Sequence, residues 1–349
     1  MPETLDLIPA ANDREWTRRL EPVPHDFYHT AAYHQLSEGE GEGEAFLAVY
    51  GSPGRYLAWP YLLRPIGQVP GRRDVTSVYG YAGPLSEGPA DESFLARAHQ
   101  ALNALWRSQN AVSAFTRFHP LLENHHWGPA AGLTPGGETI SLDLSLGESE
   151  NWSCYQSSLR NRIHRARHLG LVTAPDPSWS RLEDFVAFYH AAMRRNRAAP
   201  YYFFPLDYFQ RLRRALGDRI FLMLTRQGDR IAAASIVVEH RGLVQNHFCV
   251  NNEACLHLAP SKVLLDDVRR WAQARGNRVF HLGGGRGSAP DGLFAFKAAF
   301  SPRRHRFHTG RWVLDRRLYE ELSAGRPPGE YFPAYRSPHD RHAAFAVAR

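Results

Sequence analysis

Residues 279–300 are the stretch on which the interpretation of this sequence turns, and they read VFHLGGGRGSAPDGLFAFKAAF. The apolar run 279–282 predicts a short buried strand, the glycines at 283–285 predict a sharp turn, and 292–300 predicts a short helix. A glycine cluster after a strand can hold a phosphate. This one lacks both the Gly-Lys-Ser/Thr and the GxGxxG spacing of the common phosphate loops. The simpler interpretation is a turn where another backbone segment passes closely.

Lysine is rare in this chain, because Lys262 and Lys297 are the only two among 42 lysines and arginines. Where arginine has replaced nearly every other surface lysine, a remaining lysine either needs a compact ammonium or is left by drift. Lys297 follows Phe296 inside the apolar helical segment, and two interpretations stay open for it. Its ammonium can extend to the surface along its aliphatic stem. Alternatively, it is held where an oxyanion forms as an amine attacks an ester carbonyl.

The composition predicts a globular protein of about two domains, since the chain has 349 residues, 43% of them hydrophobic and 22% charged. The sequence has no apolar run near the roughly 20 residues of a bilayer span, and its acidic N-terminus lacks an export core, so we expect a cytoplasmic protein. Three scattered cysteines do not form a disulfide framework. The pair His125 and His126 is interpreted as a polar turn, and no metal site is expected. The net charge of +7 favours an anionic partner.

Two similar series of elements follow each other along the chain. A predicted hairpin at 46–63 corresponds to one at 219–239, and a predicted helix–strand pair at 92–118 corresponds to one at 260–282. The order is not strand–helix–strand throughout, which argues against a doubly wound dinucleotide domain. The sequence therefore predicts a duplicated α/β unit with mixed sheets.

The polar segment around 146–149 is taken as the domain boundary. The predicted domains are 1–147 and 148–325, followed by a tail at 326–349 that is rich in Pro, Arg and His. Residues 1–25 are interpreted as a loose lead-in, and 152–168 as one basic helix.

Several motifs, in their order along residues 28–315, resemble the Fem family of tRNA-dependent aminoacyl- and peptidyltransferases in the GNAT superfamily. The family's C-terminal motif is a Leu-Gly-Gly turn followed about a dozen residues later by Phe-Lys, which matches Leu282 to Lys297 here. The other matching pieces are Tyr33 with Leu62, Leu63 and Arg64; the run from Val78 to Pro84; the run from Ser158 to Ile163; and Pro260, Ser261 and Lys262 with Leu264, Leu265, Trp271 and Ala272.

The resemblance implies two tandem GNAT-like domains and the transfer of an aminoacyl group from tRNA to an amine of a peptide or nucleotide-linked peptide, forming an amide bond. Aminoacyl-tRNA would be the co-substrate, with no other cofactor. By the same resemblance, Lys297 stabilises the tetrahedral intermediate and Phe296 lines the substrate site. Gly284 and Gly285 allow the backbone to come close to the substrate.

Further candidates surround this motif. The predicted substrate-binding residues are Arg197, Tyr202, Asn246, His247 and Lys262. The predicted tRNA-binding residues lie on the basic helix, whose charged face can also be an ordinary solvated surface; they are Arg160, Arg162, Arg165 and Arg167. For the general base, His247, Asp291 and the substrate itself remain alternatives.

The sequence also departs from the family pattern. Fem enzymes that act on cell-wall precursors hold the diphosphate with a Tyr and an Arg, whereas the comparable strand here reads Gln-Asn-His-Phe at 245–248. This argues against a UDP-linked wall precursor and keeps a soluble peptide or specialised metabolite as the acceptor. The alternatives in function are an acyl-CoA-dependent N-acyltransferase, although no clear glycine-rich pyrophosphate turn precedes a helix, and a non-catalytic RNA-binding module.

Overall fold

A computed structural model describes residues 2–326 and 331–337. Within them the chain forms two compact units: unit 1 comprises 2–136, 306–326 and 331–337, and unit 2 comprises 137–305. The strands are β1 (Thr4–Pro9), β2 (Glu44–Ser52), β3 (Arg55–Pro65), β4 (Arg73–Thr76), β5 (Leu85–Glu87), β6 (Ala111–Arg117), β7 (Leu133–Asp143), β8 (Leu171–Pro175), β9 (Ile220–Gln227), β10 (Arg230–His240), β11 (Leu243–Asn251), β12 (Val279–Gly284) and β13 (Arg304–Val313).

The helices are α1 (Asp13–Leu20), α2 (Ala31–Gly39), α3 (Glu92–Ser108), α4 (Glu148–Ser153), α5 (Ser157–His168), α6 (Leu182–Arg195), α7 (Leu206–Leu216), α8 (Pro260–Ala274), α9 (Gly292–Ala298) and α10 (Arg316–Ser323). Within the described ranges, none of these helices combines the length and the apolar character that crossing a bilayer requires.

Unit 1 has the strand order β1-β2-β3-β4-β6-β13, with β5 paired to β3. The predicted hairpin is confirmed, since β2 and β3 pair antiparallel from Glu44 opposite Leu63 to Ser52 opposite Arg55. Helix α3 begins where the Asp91 carboxylate accepts the backbone N–H of Phe94 at 3.0 Å, which satisfies an N–H that the helix itself cannot pair. Its buried stripe follows the predicted helical spacing and packs on this sheet; it consists of Phe94, Ala98, Leu102 and Trp106.

Unit 2 has the strand order β7-β12-β11-β10-β9-β8. The second predicted hairpin is confirmed as β9 and β10, which pair antiparallel. Helix α8 begins at the predicted Pro260, where proline's missing N–H costs no hydrogen bond, and its apolar side packs in the core with α5. The strands β11 and β12 run parallel.

A buried ionic cluster joins α8 to α4 and α5. Asp266 and Arg269, both fully buried, form an ion pair at 3.1 Å. The Tyr155 hydroxyl donates to Asp266 at 2.9 Å and accepts from Arg269 at 3.0 Å. Arg167 and Glu148 extend the cluster to the surface. Because each buried charge has a partner, the cluster tolerates burial that would otherwise be costly.

The predicted helix at 152–168 is in fact two helices, α4 and α5, separated at 154–156. Gln156 has an extended backbone, with ψ 142°, and its N–H donates to the carbonyl of Ala299 at 2.9 Å. This tertiary hydrogen bond overrides a continuous apolar stripe. The loose lead-in predicted at 1–25 contains β1 and α1, with Trp16 and Leu20 buried.

The boundaries of the compact units in the sequence differ from those of the predicted domains. The chain divides at 136/137 and again at 305/306, so residues 306–325 belong to unit 1. The physical reason is a long-range pairing, because 309–313 of β13 lie antiparallel to 113–117 of β6.

Part of the predicted tail also belongs to unit 1. Tyr335 is buried beside Ile66 and Val112, its hydroxyl lies 2.8 Å from that of Ser113, and Arg336 forms an ion pair with the buried Asp74 at 2.5 Å. The rest of the predicted tail, 327–330 and 338–349, lies outside the described residues.

Replacing Asp266 with Asn should strongly destabilise unit 2, because it leaves the buried guanidinium of Arg269 without its nearest buried charge. Removing one member of a buried ion pair costs about 3–5 kcal/mol. Urea unfolding followed by circular dichroism measures the change. The matched control is Asp229→Asn in the exposed β9–β10 turn, expected to change stability by less than about 0.5 kcal/mol. Equal effects of the two substitutions would show that the cluster does not stabilise the fold.

Candidate active site

The parallel strands β11 and β12 separate after three residue pairs. Their pairing runs from Leu243 opposite Val279 to Gln245 opposite His281, although β11 continues to Asn251 and β12 to Gly284. At the last pair, His281 Nδ1 and Gln245 Oε1 lie 2.6 Å apart, which joins the two buried side chains across the strands. We call the space between the separating strands the strand gap; it lies between 246–251 and 282–284.

A β-bulge on each strand accompanies this separation. Against β10, Asn246 and Phe248 pair with consecutive residues, so His247 is the extra residue on β11. Against β7, His281 and Gly283 pair with consecutive residues, so Leu282 is the extra residue on β12. A bulge bends its strand and turns a side chain to a new direction. The predicted substrate-binding residues Asn246 and His247 therefore lie where β11 turns away from β12.

Lys297 places its ammonium at the end of the strand gap. Its Nζ donates a hydrogen bond to the carbonyl oxygen of Gly284 at 2.7 Å. Gly283 has a φ of +74°, and a Cβ there would lie 3.3 Å from Nζ. Glycine at 283 thus provides both the left-handed turn and the room for the ammonium. The bond uses one of the three N–H donors of a lysine ammonium, which leaves two for a ligand.

Burial lowers the pKa of Lys297 to about 8, an effect that the neighbouring Cys249 and Asp291 oppose. Burial also raises the pKa of the Cys249 thiol to about 12, so this thiol is neutral near pH 7. Among the described residues, no carboxylate forms an ion pair with Lys297. The site therefore combines a desolvated positive charge with unused donors, the combination that stabilises developing negative charge most effectively.

The two other glycines of the turn are packed against the chain itself. A Cβ on Gly284 would lie 2.6 Å from the carbonyl oxygen of Glu138, and one on Gly285 would lie 2.1 Å from that of Ala289. The close approach that was expected for a substrate is thus made by the protein's own backbone. This agrees with the simpler interpretation of the cluster as a tight turn.

Phe296, next to Lys297 in sequence, contacts the other lysine of the chain, Lys262. The Nζ of Lys262 lies 4.6 Å from the centroid of the Phe296 ring, which is cation–π distance. Burial lowers the pKa of Lys262, and the nearby charge of Arg162 lowers it further. Two like charges therefore lie close together at the first turn of α8, and among described residues neither has an acidic partner.

Asp291 holds the loop between β12 and α9. Its Oδ1 accepts the N–H of Phe294 at 3.0 Å and caps α9, and its Oδ2 accepts from Arg286 Nε at 3.1 Å. Arg286 also donates to the Asn196 side chain at 3.2 Å. The Asp291 carboxylate is therefore occupied as a cap and ion-pair partner, which disfavours it as the general base.

The predicted Arg197 and Tyr202 lie in the segment after α6. Arg197 is exposed, with a φ of +50°. The carbonyl of Tyr202 accepts the Tyr189 hydroxyl at 2.5 Å, and the Tyr189 ring packs edge-on against Phe248 at 5.6 Å. The aromatic run at 201–204 thus connects this segment to β11, and the hydrogen bond of Arg286 to Asn196 connects it to the glycine turn.

The four predicted tRNA-binding arginines fall into two pairs. Arg160 donates to carbonyls at the end of α4, including that of Ser153 at 3.2 Å, and Arg167 contacts Asp266 and Asp267, each at 2.6 Å. These two therefore serve the fold. Arg162 and Arg165 are exposed on α5 and, within the described chain, have no ion pair.

Four contributors to the site were not found from the sequence: Gln245, His281, Cys249 and Arg286. A signal existed for the first two, since polar residues inside otherwise apolar strands are rarely buried without a partner. The described residues contain no cluster of three or more His, Cys, Asp or Glu arranged to hold an ion.

Comparison with known families identifies the fold. Residues 153–298, most of unit 2, match the family model described as "Acetyltransferase (GNAT) domain". The predicted class of enzyme, an acyltransferase, is confirmed by this match. No curated protein sequence matches the chain significantly.

Solved structures extend the likeness to nearly the whole chain. FemX superposes with a TM-score of 0.70 at 11% identity, covering 92% of this chain and 99% of FemX. The C-terminal domain of a putative lysylphosphatidylglycerol synthetase from Agrobacterium fabrum superposes with a TM-score of 0.56 at 16% identity, covering 89% of this chain and 96% of that domain. A conserved protein of unknown function from Bacteroides thetaiotaomicron gives 0.55 at 10% identity, with 89% and 100% coverage. The Fem-like GNAT fold predicted from the sequence is thereby confirmed.

The pKa of Lys297 is directly measurable because the chain has only two lysines. After ¹³C-methylation, the Lys297 signal should titrate near pH 8, well below the usual lysine value of about 10.4. Burial favours the neutral amine, so the ammonium form is lost as the pH rises through this value. NMR titration measures it, and Lys297→Arg assigns the signal by removing it. Two lysine signals that both titrate above pH 10 would contradict a buried ammonium.

Proposed function

We propose that this protein is an aminoacyltransferase that moves an aminoacyl group from aminoacyl-tRNA to an amine of a peptide or peptide-like acceptor. The observation that carries the proposal is the ammonium of Lys297, held by the Gly284 carbonyl at the end of the strand gap with two donors unused. The site suits a reaction in which negative charge builds on one carbonyl oxygen.

The reaction requires no nucleophile from the protein. The acceptor amine adds to the carbonyl carbon of the aminoacyl ester, and the carbonyl oxygen becomes an oxyanion that accepts hydrogen bonds from Lys297. When the intermediate collapses, the bond to the ribose oxygen breaks and the carbonyl re-forms. The amine gives up a proton, and the ribose hydroxyl leaves with one. The products are an amide and deacylated tRNA, so atoms and charge balance.

The charge pattern of unit 2 supports a polyanionic donor. Arg162 and Lys262 lie close enough for one charge to lower the other's pKa, and Arg165 is exposed on the same helix as Arg162. Like charges that lack acidic partners are relieved when phosphates bind and counterions are released. FemX and a putative lysylphosphatidylglycerol synthetase share the fold, and the second name denotes an enzyme that attaches a lysyl group.

A second candidate is an acyl-CoA-dependent N-acyltransferase. The matching family model describes an acetyltransferase, and α8 begins shortly after β11 without a side-chain cap on its first turn. Free N–H groups at a helix start can bind a pyrophosphate. The oxyanion role of Lys297 is the same with either donor, so the donor must be tested separately.

Replacing Lys297 with Met should lower kcat by about 10²–10³-fold and leave KM for the acceptor nearly unchanged. The substitution removes donors that act on the oxyanion, a contribution worth roughly 3–4 kcal/mol. Single-turnover and steady-state rates with aminoacyl-tRNA measure the change, and the thermal unfolding midpoint shows whether the variant folds. A variant that folds normally and keeps full kcat excludes Lys297 from the chemical step.

The donor should be aminoacyl-tRNA. In a reaction containing all charged tRNAs and a mixture of amines, mass spectrometry should detect an aminoacylated amine whose formation stops after RNase treatment. Acetyl-CoA titrated into the protein should produce no binding heat. Product formation that survives RNase, or saturable acetyl-CoA binding with acetyl transfer, selects the second candidate.

A matched pair of variants locates the tRNA contact within the same experiment. Arg162→Gln/Arg165→Gln should weaken tRNA binding and reduce the slope of log K against log salt by about 1.4–1.8, since each phosphate contact contributes roughly 0.7–0.9. Arg214→Gln/Arg230→Gln removes the same charge from exposed positions elsewhere in unit 2 and should leave the slope unchanged. Equal slopes for both double variants place tRNA binding elsewhere.

A further inference from the structure

In unit 1, the segment at 78–84 is held rigidly beside the end of β6. The Tyr33 hydroxyl donates to the carbonyl of Tyr79 at 3.0 Å, and the N–H of Ala82 donates to the carbonyl of Arg117 at 3.0 Å. Asn124 donates to the carbonyl of Ala82 at 2.8 Å. Gly80 has a φ of +118°, and a Cβ there would lie 2.1 Å from the Tyr28 ring, so the segment fits only in this form.

The turn after β6 is fixed by a buried histidine. His119 accepts the N–H groups of Leu121 and Leu122 at Nδ1, each at 3.2 Å, so its proton lies on Nε2. This Nε2 lies 2.9 Å from the carboxylate of Asp26, and both side chains are fully buried. The backbone that carries Arg117 is therefore held on both sides.

Arg117 is a half-buried arginine with an unsatisfied donor. Its guanidinium carbon lies 6.0 Å from the centroid of the Tyr81 ring and 5.7 Å from that of Phe307. Its Nε is buried without a hydrogen-bond partner, and among the described residues it has no ion pair. By contrast, the Arg64 guanidinium in the same unit is paired with the buried carboxylate of Asp74 at 2.8 Å. An unmatched buried donor needs an explanation, and a bound ligand is one that can be tested.

The surroundings of Arg117 define the chemistry of that ligand. Burial raises the pKa of the phenols of Tyr79 and Tyr81, and the positive charge of Arg117 opposes this rise for both. Both phenols are therefore neutral and lie within electrostatic reach of the guanidinium. A guanidinium presents its donors as a planar fork that fits a carboxylate or a phosphate.

We propose that unit 1 binds a small molecule through its carboxylate or phosphate group at Arg117, beside the adjoining rings of Tyr81 and Phe307, whose centroids lie 5.6 Å apart. A single half-buried guanidinium suits one oxyanion, whereas binding of a nucleic acid relies on many exposed phosphate contacts. If the proposed function holds, on which this last step rests, the ligand is the amine acceptor and the acceptor carries an acidic group.

Anion-dependent thermal stability of the full chain tests the site without acyl transfer. At constant ionic strength set by chloride, inorganic phosphate or acetate should raise the unfolding midpoint of the wild-type protein, because a ligand that binds only the folded state stabilises it. The substitution Arg117→Gln should weaken the binding of that anion by at least about tenfold. A response to phosphate or to acetate alone supports the proposal and identifies the group that is bound.

Two features separate a binding role from a structural one. Without added anion, Arg117→Gln should unfold at the same temperature as wild type or higher, because it removes an unmatched donor. A structural arginine predicts a lower midpoint. The control Arg18→Gln removes an exposed charge of unit 1 and should keep the full anion response. Should Arg117→Gln not fold, Tyr81→Leu and Phe307→Leu should weaken the same response.

Several outcomes would overturn the site. The first is that the anions raise the unfolding midpoint of Arg117→Gln and of the wild type equally. The second is that neither anion raises the midpoint of the wild type. The third is that Arg117→Gln loses tRNA affinity while its midpoint still responds to the anions as the wild type does. Lys297→Met, in unit 2, should keep the anion response while transfer falls. Failure of the anion test thus leaves the aminoacyltransferase proposal standing, and failure of transfer leaves the anion site standing.

Discussion

The hydrogen bond from Lys297 to the carbonyl of Gly284 depends on the separation of β11 from β12, and the proposed chemistry depends on that bond. Two paired parallel strands would use their backbone groups on each other and leave no room for an ammonium. Here the bulges at His247 and Leu282 bend the strands, and Gly283 leaves space beside Nζ. The low pKa of Lys297 follows from the same burial that makes its remaining donors effective.

The two units repeat one architecture but differ at this point. In unit 1 the corresponding parallel strands are β4 and β6, and beyond β4 the chain returns to β6 where Ala82 bridges to Phe118. The N–H of Arg117 also donates to the Ser77 hydroxyl oxygen at 3.2 Å. The space beside the parallel strands is therefore closed in unit 1, whereas the corresponding strands of unit 2 separate. At this place unit 1 carries the guanidinium of Arg117, and unit 2 carries the ammonium of Lys297. Equivalent strand ends of the two units therefore carry different cationic side chains.

The sequence predicted features that depend on neighbouring residues and missed those that depend on distant ones. The spacing of apolar residues located α3 and α8, and the rarity of lysine directed attention to Lys297. Pattern alone could not show that Arg160 and Arg167 serve the fold, since an arginine that holds a carbonyl or a buried Asp266 looks the same in sequence as a solvated one. The boundaries of the units differ from the predicted domain boundary because the pairing of β13 with β6 joins residues almost 200 positions apart.

That pairing also fixes the order in which the protein can mature on the ribosome. Most of unit 1 precedes unit 2 in the chain, yet its sheet includes β13, and Asp74, which already pairs with Arg64, also pairs with Arg336. Every residue of unit 2 is synthesised before those partners emerge. Domains usually acquire structure in the order of synthesis, but here unit 1 is completed by residues that follow unit 2 in the chain. A chain whose translation stops directly after unit 2 would therefore lack β13 and Arg336, and its unit 1 would be incomplete.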